Sequence, residues 1–469
     1  MSTLYNATQN IGFTENGALT YTTTGSAVLD LFSMGGALRS SDEERIRMLV
    51  DNAYKEDPVK TIAVLLYLRD CRGGQGEKRI FKVAIKRLIE AHNLNKKSLY
   101  EAISKYGCYK DVFDIFTPEE IAPVIAPIIE EHKTLSNGTL LEKWMPSVKG
   151  ARSGYAHKLA KLLGMTDREY RKYLSSKRAT LNLVESKMCK NEWDKIDYPS
   201  VPSRANLIYS DAFNRHDEER YSAFLKKVEK GEEKINTSVL YPYEVFNKMN
   251  TPNAEVLWNN LKDYTKGENA LVVCDTSGSM CCSYATSVFP ISVSVSLALY
   301  FAERNKGIFN NEFITFSENP CFQKIEGNTL KERFSNIEKA TWGMSTNLQK
   351  VFDLVLKSAV ESKVPEEEMP TTIYIISDME FNYCVKGTNL DGIIKKYNDA
   401  GYKLPRLVFW NVNSKQNNVC ASKDTQGVML VSGCSPSVFA VATNPEMTPE
   451  GFMNSIINDY IEEARGIVS

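Results

Sequence analysis

Residues 271–280 read LVVCDTSGSM, and the fold turns on how this stretch is read. Leu271, Val272, Val273 and Cys274 make a short apolar run that stops at a polar turn, the pattern of a strand buried on both faces. Asp275 supplies a carboxylate and Ser277 and Ser279 supply hydroxyls at alternating positions, on a loop that Gly278 lets fold sharply. Oxygens so spaced can point at one place and suit a hard divalent cation such as Mg²⁺. The loop follows the carboxyl end of a strand, where open α/β sheets place their ligands. Asp and Ser are equally at home at helix caps and turns, so the pentad also has a purely structural reading.

Two later stretches bear on that choice. Thr346, in TWGMSTNL, lies in a Gly-containing loop before an apolar-periodic helix, and Asp378, in TTIYIISDME, follows a second β-rich run. From residue 268 onward strands and helices alternate: a helix over 284–305, strands over 312–317 and 322–325, and helices over 330–339 and 348–360. Strands over 372–377, 407–412 and 427–431 and a final helix over 450–464 complete the series. This alternation predicts a doubly wound, mostly parallel sheet covered on both faces. Strand, DTSGS, helix, strand, Thr loop, helix, strand, Asp is the order of von Willebrand factor A domains, which this half resembles. The resemblance implies a metal-ion-dependent adhesion site. In it Ser277, Ser279 and Thr346 contact Mg²⁺ (or Mn²⁺), while Asp275 and Asp378 act largely through water.

A chain of 469 residues calls for two or three domains. Its hydrophobic content of 43% and charged content of 25% are those of a globular protein. The most apolar stretch, 289–302, is too short to cross a membrane and is interrupted by three serines. The first residues, MSTLYNATQN, lack the charged head and apolar body of a secretory signal, and no C-x-x-C pair occurs among the ten cysteines. A cytoplasmic protein with free thiols is expected. Residues 1–250 carry 38 Lys+Arg against 33 Asp+Glu and the remainder 19 against 25, so a mildly basic half joins a mildly acidic one. Such a balance leaves any nucleic-acid binding to a local patch.

The first half reads in order as follows. Residues 1–38, rich in Thr, Gly, Asn and Ser, suggest an irregular arm. SDEERIRMLVDNAYKED opens with a Ser cap and acidic residues, then carries Ile46, Leu49, Val50 and Ala53 at helical spacing. Pro58 starts a second helix, and CRGGQGEKR breaks it before a third, over 77–92. Short helices and tight turns continue to about residue 262 with almost no β-alternation. An all-α domain of stacked helix pairs over 39–265, in the manner of HEAT-like repeats, followed by the sheet domain over 266–469, is the expected organisation.

Several phrases of that half resemble one architecture: GGQGEKRIF (73–81), KYGCYKDVFDIF (105–116), KYLSSKR (172–178) and the run from WDKIDYPS to YPYEV (193–245). They are similar to the family labelled domain of unknown function 2828, which is similar in turn to the TROVE module of Ro ribonucleoproteins. In both, a helical-repeat domain precedes a von Willebrand A-like domain. The resemblance extends from about residue 20 to the end. For the Ro-like relatives it implies a helical ring closed by the A domain, with single-stranded RNA ends in a basic hole and structured RNA outside.

RNA binding requires Lys and Arg placed on phosphates, helped by planes on which bases stack. Two segments offer this. The first holds Arg69, Arg72, Lys78, Arg79, Lys82, Lys86 and Arg87, with the GGQG amides beside it as a phosphate cradle. The second holds Arg152, His157, Lys158, Lys161, Arg168, Arg171, Lys172, Lys177 and Arg178, interleaved with Tyr155, Tyr170 and Tyr173. The alternative is that both are solvated faces of amphipathic helices.

Three functions from different classes follow. The leading one is a non-enzymatic Ro-like protein that binds RNA, its metal site taking an acidic partner group. The second is a protein–protein scaffold that uses the metal to capture a partner carboxylate, without RNA. The third is a metal-dependent hydrolase with Glu380 as the base, which is weakened by the small number of carboxylates beside Asp275 and Asp378. No nucleophile triad or P-loop is present in the sequence.

Overall fold

The computed structural model describes residues 10–265, 267–281, 288–316, 319–339, 346–382, 389–440 and 447–469. The expected start of the helix at 284 and the glycine of the Thr346 loop lie outside them.

The N-terminal half is helical and the C-terminal half is built on a mixed sheet with parallel strands. Local chemistry sets the helix starts. Asp42, not Ser41, caps Glu43–Glu56, and Asp57 caps Pro58–Arg69 with proline in the first turn. Thr117 and Glu120 form a capping box at the head of Pro118–Thr134, and Thr166 and Glu169 do the same for Asp167–Ala179.

Six strands form the sheet: β3 (Ala270–Asp275), β4 (Glu312–Phe316), β5 (Phe322–Lys324), β6 (Thr372–Ser377), β7 (Arg406–Asn411) and β8 (Val428–Ser432). Their order is β5-β4-β3-β6-β7-β8, with only β5 antiparallel to its neighbour. β3 and β6 lie side by side at the centre, and the chain leaves them in opposite directions, which makes a topological switch point between them. Alternate residues face opposite layers. Val272, Cys274, Tyr374, Ile376, Val408 and Trp410 join the core shared with the helical half, while Leu271, Val273, Ile373, Ile375 and Phe409 pack against Leu348–Ser362 and Asn389–Asp399.

The larger apolar cluster runs without a break from Val28 to Ile467, so the two halves share a core. Both chain ends cross between the halves. Residues 10–38 hold a two-stranded hairpin, β1 (Ile11–Phe13) with β2 (Leu19–Tyr21), and a helix, Ala27–Gly35. An irregular arm was expected there. Strands of three residues are too short to show alternation, and AVLDLFSMG is buried on nearly all sides, so neither carries a periodic signal. At the other end the expected last helix is two, Pro449–Ile457 and Ile461–Val468, and the second returns to the helical half. There Asn95 N donates to Ile467 O at 2.8 Å and Tyr460 OH to Asp70 Oδ2 at 3.0 Å.

GGQG is part of this seam, not a phosphate cradle. The amides of Gln75, Gly76 and Glu77 are already given to the carbonyls of Tyr67, Asp70 and Leu68. Gln75 also accepts from Ser435 N at 3.0 Å, and Gly74 accepts from Ser437 Oγ at 3.1 Å. A side chain at position 74 would put Cβ 1.9 Å from Tyr67 O, so only glycine fits.

Candidate functional site

The β3–β6 register pairs Cys274 with Ile376, so Asp275 and Ser377 emerge together and Asp378 follows directly. Asp275 is fully buried; its Oδ2 accepts from Ser377 Oγ at 2.5 Å and its Oδ1 from Ser277 N at 2.9 Å. Ser277 Oγ and Ser279 Oγ lie 3.0 Å apart. Burial first, and the like charge of Asp378 next, push the Asp275 carboxyl up to about 6. Thr346 precedes the helix Leu348–Ser362, and its Oγ1 donates to Glu380 O at 2.9 Å, which zips this loop to the one that carries Asp378. Between Asp378 and Glu380, buried Met379 holds φ +67°, a left-handed kink uncommon for a side-chain-bearing residue.

Asp378 Oδ2 is buried and accepts no hydrogen bond, and the ammonium of Lys415 stands 3.5 Å from it. These two carboxylates and the hydroxyls of Ser277, Ser279 and Thr346 are the residues that could hold a divalent ion. The donor set is all oxygen, which suits Mg²⁺ or Mn²⁺ over softer metals. Among the described residues no three His, Cys, Asp or Glu side chains gather into a metal site, so an ion here would lean on hydroxyls. The Glu380 carboxylate is engaged within the fold. The residue is buried, and its carboxylate accepts from Glu15 N at 2.6 Å and from Asn418 Nδ2 at 3.1 Å. Burial raises its pKa.

The two basic segments part company. Lys78, Arg79, Lys82 and Lys86, with Arg47, Arg87 and Arg152, line one surface cavity of about 550 Å³, against only Glu43, Glu90 and Asp114. Some of this charge is committed: Lys82 and Arg152 share Asp114, and Arg87 grips Asp51. Burial works against Asp114, but Lys82 and Arg152 hold it below the usual carboxylate range. Lys78 and Lys86 have no ion pair among the described residues, and Arg79 Nη1 is buried without a hydrogen-bond partner. Burial, with Arg204 and Arg69 nearby, lowers the pKa of Lys78. Two members of the first segment stay out of the groove: Arg69 is buried on Asp111, and Arg72 donates to Lys105 O.

In the second segment only Arg152 reaches the groove. Arg178 spends its guanidinium on Glu142 O, Met145 O and Ser147 Oγ, and Lys177 turns inward to Leu135 O. His157 pairs with Asp167 and Lys158 with Glu119, while Lys161, Arg168, Arg171 and Lys172 stand in solvent. The tyrosines offer no stacking planes: Tyr155, Tyr170 and Tyr173 pack inward, with hydroxyls on Phe116 O, Pro146 O and Glu142.

A family model described as a domain of unknown function, DUF2828, matches residues 14–119 and 140–275, more than half of the chain. The chain belongs to the DUF2828 family. The match begins at Thr14, in the hairpin turn that holds Glu380, and ends at Asp275. In this DUF2828 protein a second model, also described as a domain of unknown function, DUF7788, matches 269–456, which spans the sheet. A similar protein is "Uncharacterized protein L728" of Acanthamoeba polyphaga mimivirus, 29% identical over 513 aligned positions, covering 96% of this chain and 88% of that one. A similar solved structure is that of the Deinococcus radiodurans RO (RSR) protein, at 12% identity and TM-score 0.37, covering 90% of this chain and 92% of that one.

Two groups at these loops escaped the sequence reading. Glu15 and Lys415 lie 400 positions apart, in stretches without a motif. Arg45 places the second of them, donating to Ser414 O at 2.6 Å, Lys415 O at 3.1 Å and Gln416 O at 2.6 Å. Among the described residues no helix is long and apolar enough to cross a membrane, and all eight described cysteines are free thiols.

Proposed function

We propose that this DUF2828 protein is a non-enzymatic, cytoplasmic, Ro-like RNA-binding protein whose basic groove takes phosphates. Its von Willebrand A-like half, beside HEAT-like helices, holds Mg²⁺ or Mn²⁺ for an acidic partner group. The observation that carries the RNA reading is the groove of Lys78, Arg79, Lys82, Lys86 and Arg152, where cations outnumber carboxylates in one concavity and Lys78 and Lys86 have no ion pair among the described residues. The metal reading rests on buried Asp378 Oδ2, which lacks a hydrogen bond, beside Asp275 and the touching hydroxyls of Ser277 and Ser279. A bound ion would offset the repulsion between the two carboxylates and leave a coordination position for an acidic oxygen. The engagement of Glu380 by Glu15 N and Asn418 speaks for binding over hydrolysis.

The test is binding of a labelled single-stranded RNA to the full chain between 50 and 200 mM salt. A steep loss of affinity is expected, with a log–log slope of about −0.7 per phosphate neutralised. A slope near zero would remove RNA. The commitment of Lys177, Arg178, His157 and Lys158 to internal partners favours a second reading, the protein scaffold. It predicts a chain that purifies free of nucleic acid and holds a protein partner released by EDTA.

A further inference from the structure

The turn of the N-terminal hairpin is built onto the loop that carries Asp378. Thr14 Oγ1 donates to Phe381 O at 2.6 Å, Glu15 N to Glu380 Oε2 at 2.6 Å and Asn16 Nδ2 to Glu380 O at 2.6 Å. Gly17, at φ +81°, closes the turn and bridges to Asn382. These bonds fix the backbone of Glu15 and leave its side chain half exposed, where it pairs with Lys415 Nζ at 3.2 Å. The same ammonium stands 3.5 Å from Asp378 Oδ2, an oxygen that is fully buried and accepts no hydrogen bond. One cation therefore stands within ion-pair distance of two carboxylates.

We propose that Glu15 is the acidic group the metal site takes, supplied in cis by the hairpin, and that Lys415 holds its place until an ion binds. The proposal rests on the metal reading given above. A divalent cation held by Asp378 repels the ammonium and attracts the carboxylate, so Glu15 changes partner from Lys415 to the ion while the lysine moves to solvent. The hairpin is then tied to the site by a charge as well as by its backbone bonds. An acidic group from outside gains the site only by displacing Glu15, which makes the N-terminal hairpin the gatekeeper of any partner that arrives through the metal.

The experiment is Mn²⁺ binding to the full chain, followed by electron paramagnetic resonance, together with amide hydrogen exchange over residues 10–22. Glu15→Gln keeps the backbone amide that holds Glu380 and is expected to weaken Mn²⁺ binding about tenfold, through loss of one charged ligand. Lys415→Met, which removes the competing charge, is expected to strengthen it severalfold. Mn²⁺ should slow exchange in the hairpin of the natural chain and leave it unchanged in Glu15→Gln. Mn²⁺ bound with equal affinity by the natural chain and Glu15→Gln, with no change in hairpin exchange in either, would overturn the proposal and leave the metal reading standing. No binding to the natural chain would remove both.

Discussion

The two basic segments of the helical half are alike in composition and opposite in use. Both place Lys and Arg at helical spacing, yet Lys78, Arg79, Lys82 and Lys86 open onto a shared cavity, while Lys177 and Arg178 are spent on backbone carbonyls. The difference lies in what stands opposite. The helix Arg79–Ala91 faces other cations across a groove, with Asp114 as its main counter-charge. The helix Asp167–Ala179 meets the end of Leu140–Trp144, whose carbonyls need donors. Charge spacing along a helix therefore does not tell a ligand surface from a helix-capping device.

Substitutions can break this comparison, and the largest effect is expected at Arg178. Arg178→Ala leaves two carbonyls without donors and should lower unfolding stability by about 2–3 kcal/mol, read by urea denaturation, with RNA affinity unchanged. Next, Lys82→Glu with Lys86→Glu should weaken RNA binding roughly thirtyfold at 100 mM salt and flatten the salt slope by about 1.4. Lys86→Glu alone should leave stability nearly unchanged, because Lys86 has no ion pair among the described residues, whereas Lys82→Glu also breaks the pair with Asp114 and carries the stability cost of the double variant.

Acid sensitivity separates the segments further. Burial works against Glu142, but hydrogen bonds from Thr139, Tyr173 and His132 outweigh it and bring its carboxyl down to about 2. Because the folded value is depressed, its contribution is complete above the ordinary value near 4.5 and is lost as pH falls from there toward 2. Glu142→Gln should cost about 2 kcal/mol at pH 7 and flatten the acid limb of the stability curve. The smallest effect is expected from Arg168→Gln with Lys172→Gln: less than about 0.5 kcal/mol in stability and less than twofold in RNA affinity, since both stand in solvent.

Sequence made the sheet and its turn legible because each central strand is an apolar run bounded by polar residues. Strand β6 falls where TTIYIIS predicts it, and Asp275 and Asp378 emerge together because β3 and β6 are neighbours. What stayed hidden was buried on all sides, very short, or made of partners far apart. The helix Ala27–Gly35 has no polar face, and β1 and β2 have three residues each. The helix Asn389–Asp399 carries a glycine in its first turns and was not anticipated. GGQG carries the signature of an anion loop and serves the seam between the halves, which only the positions of Ser435 and Ser437 disclose. The pairing of Lys415 with both Glu15 and Asp378 needs the fold to bring three distant stretches together.

The most direct measurement of the central claim is ultraviolet crosslinking of a bound single-stranded RNA to the full chain, with the crosslinked residues mapped by mass spectrometry. Crosslinks on residues 78–90 and around Arg152 are the predicted result. Crosslinks confined to residues 157–178, with none in the groove, would contradict it.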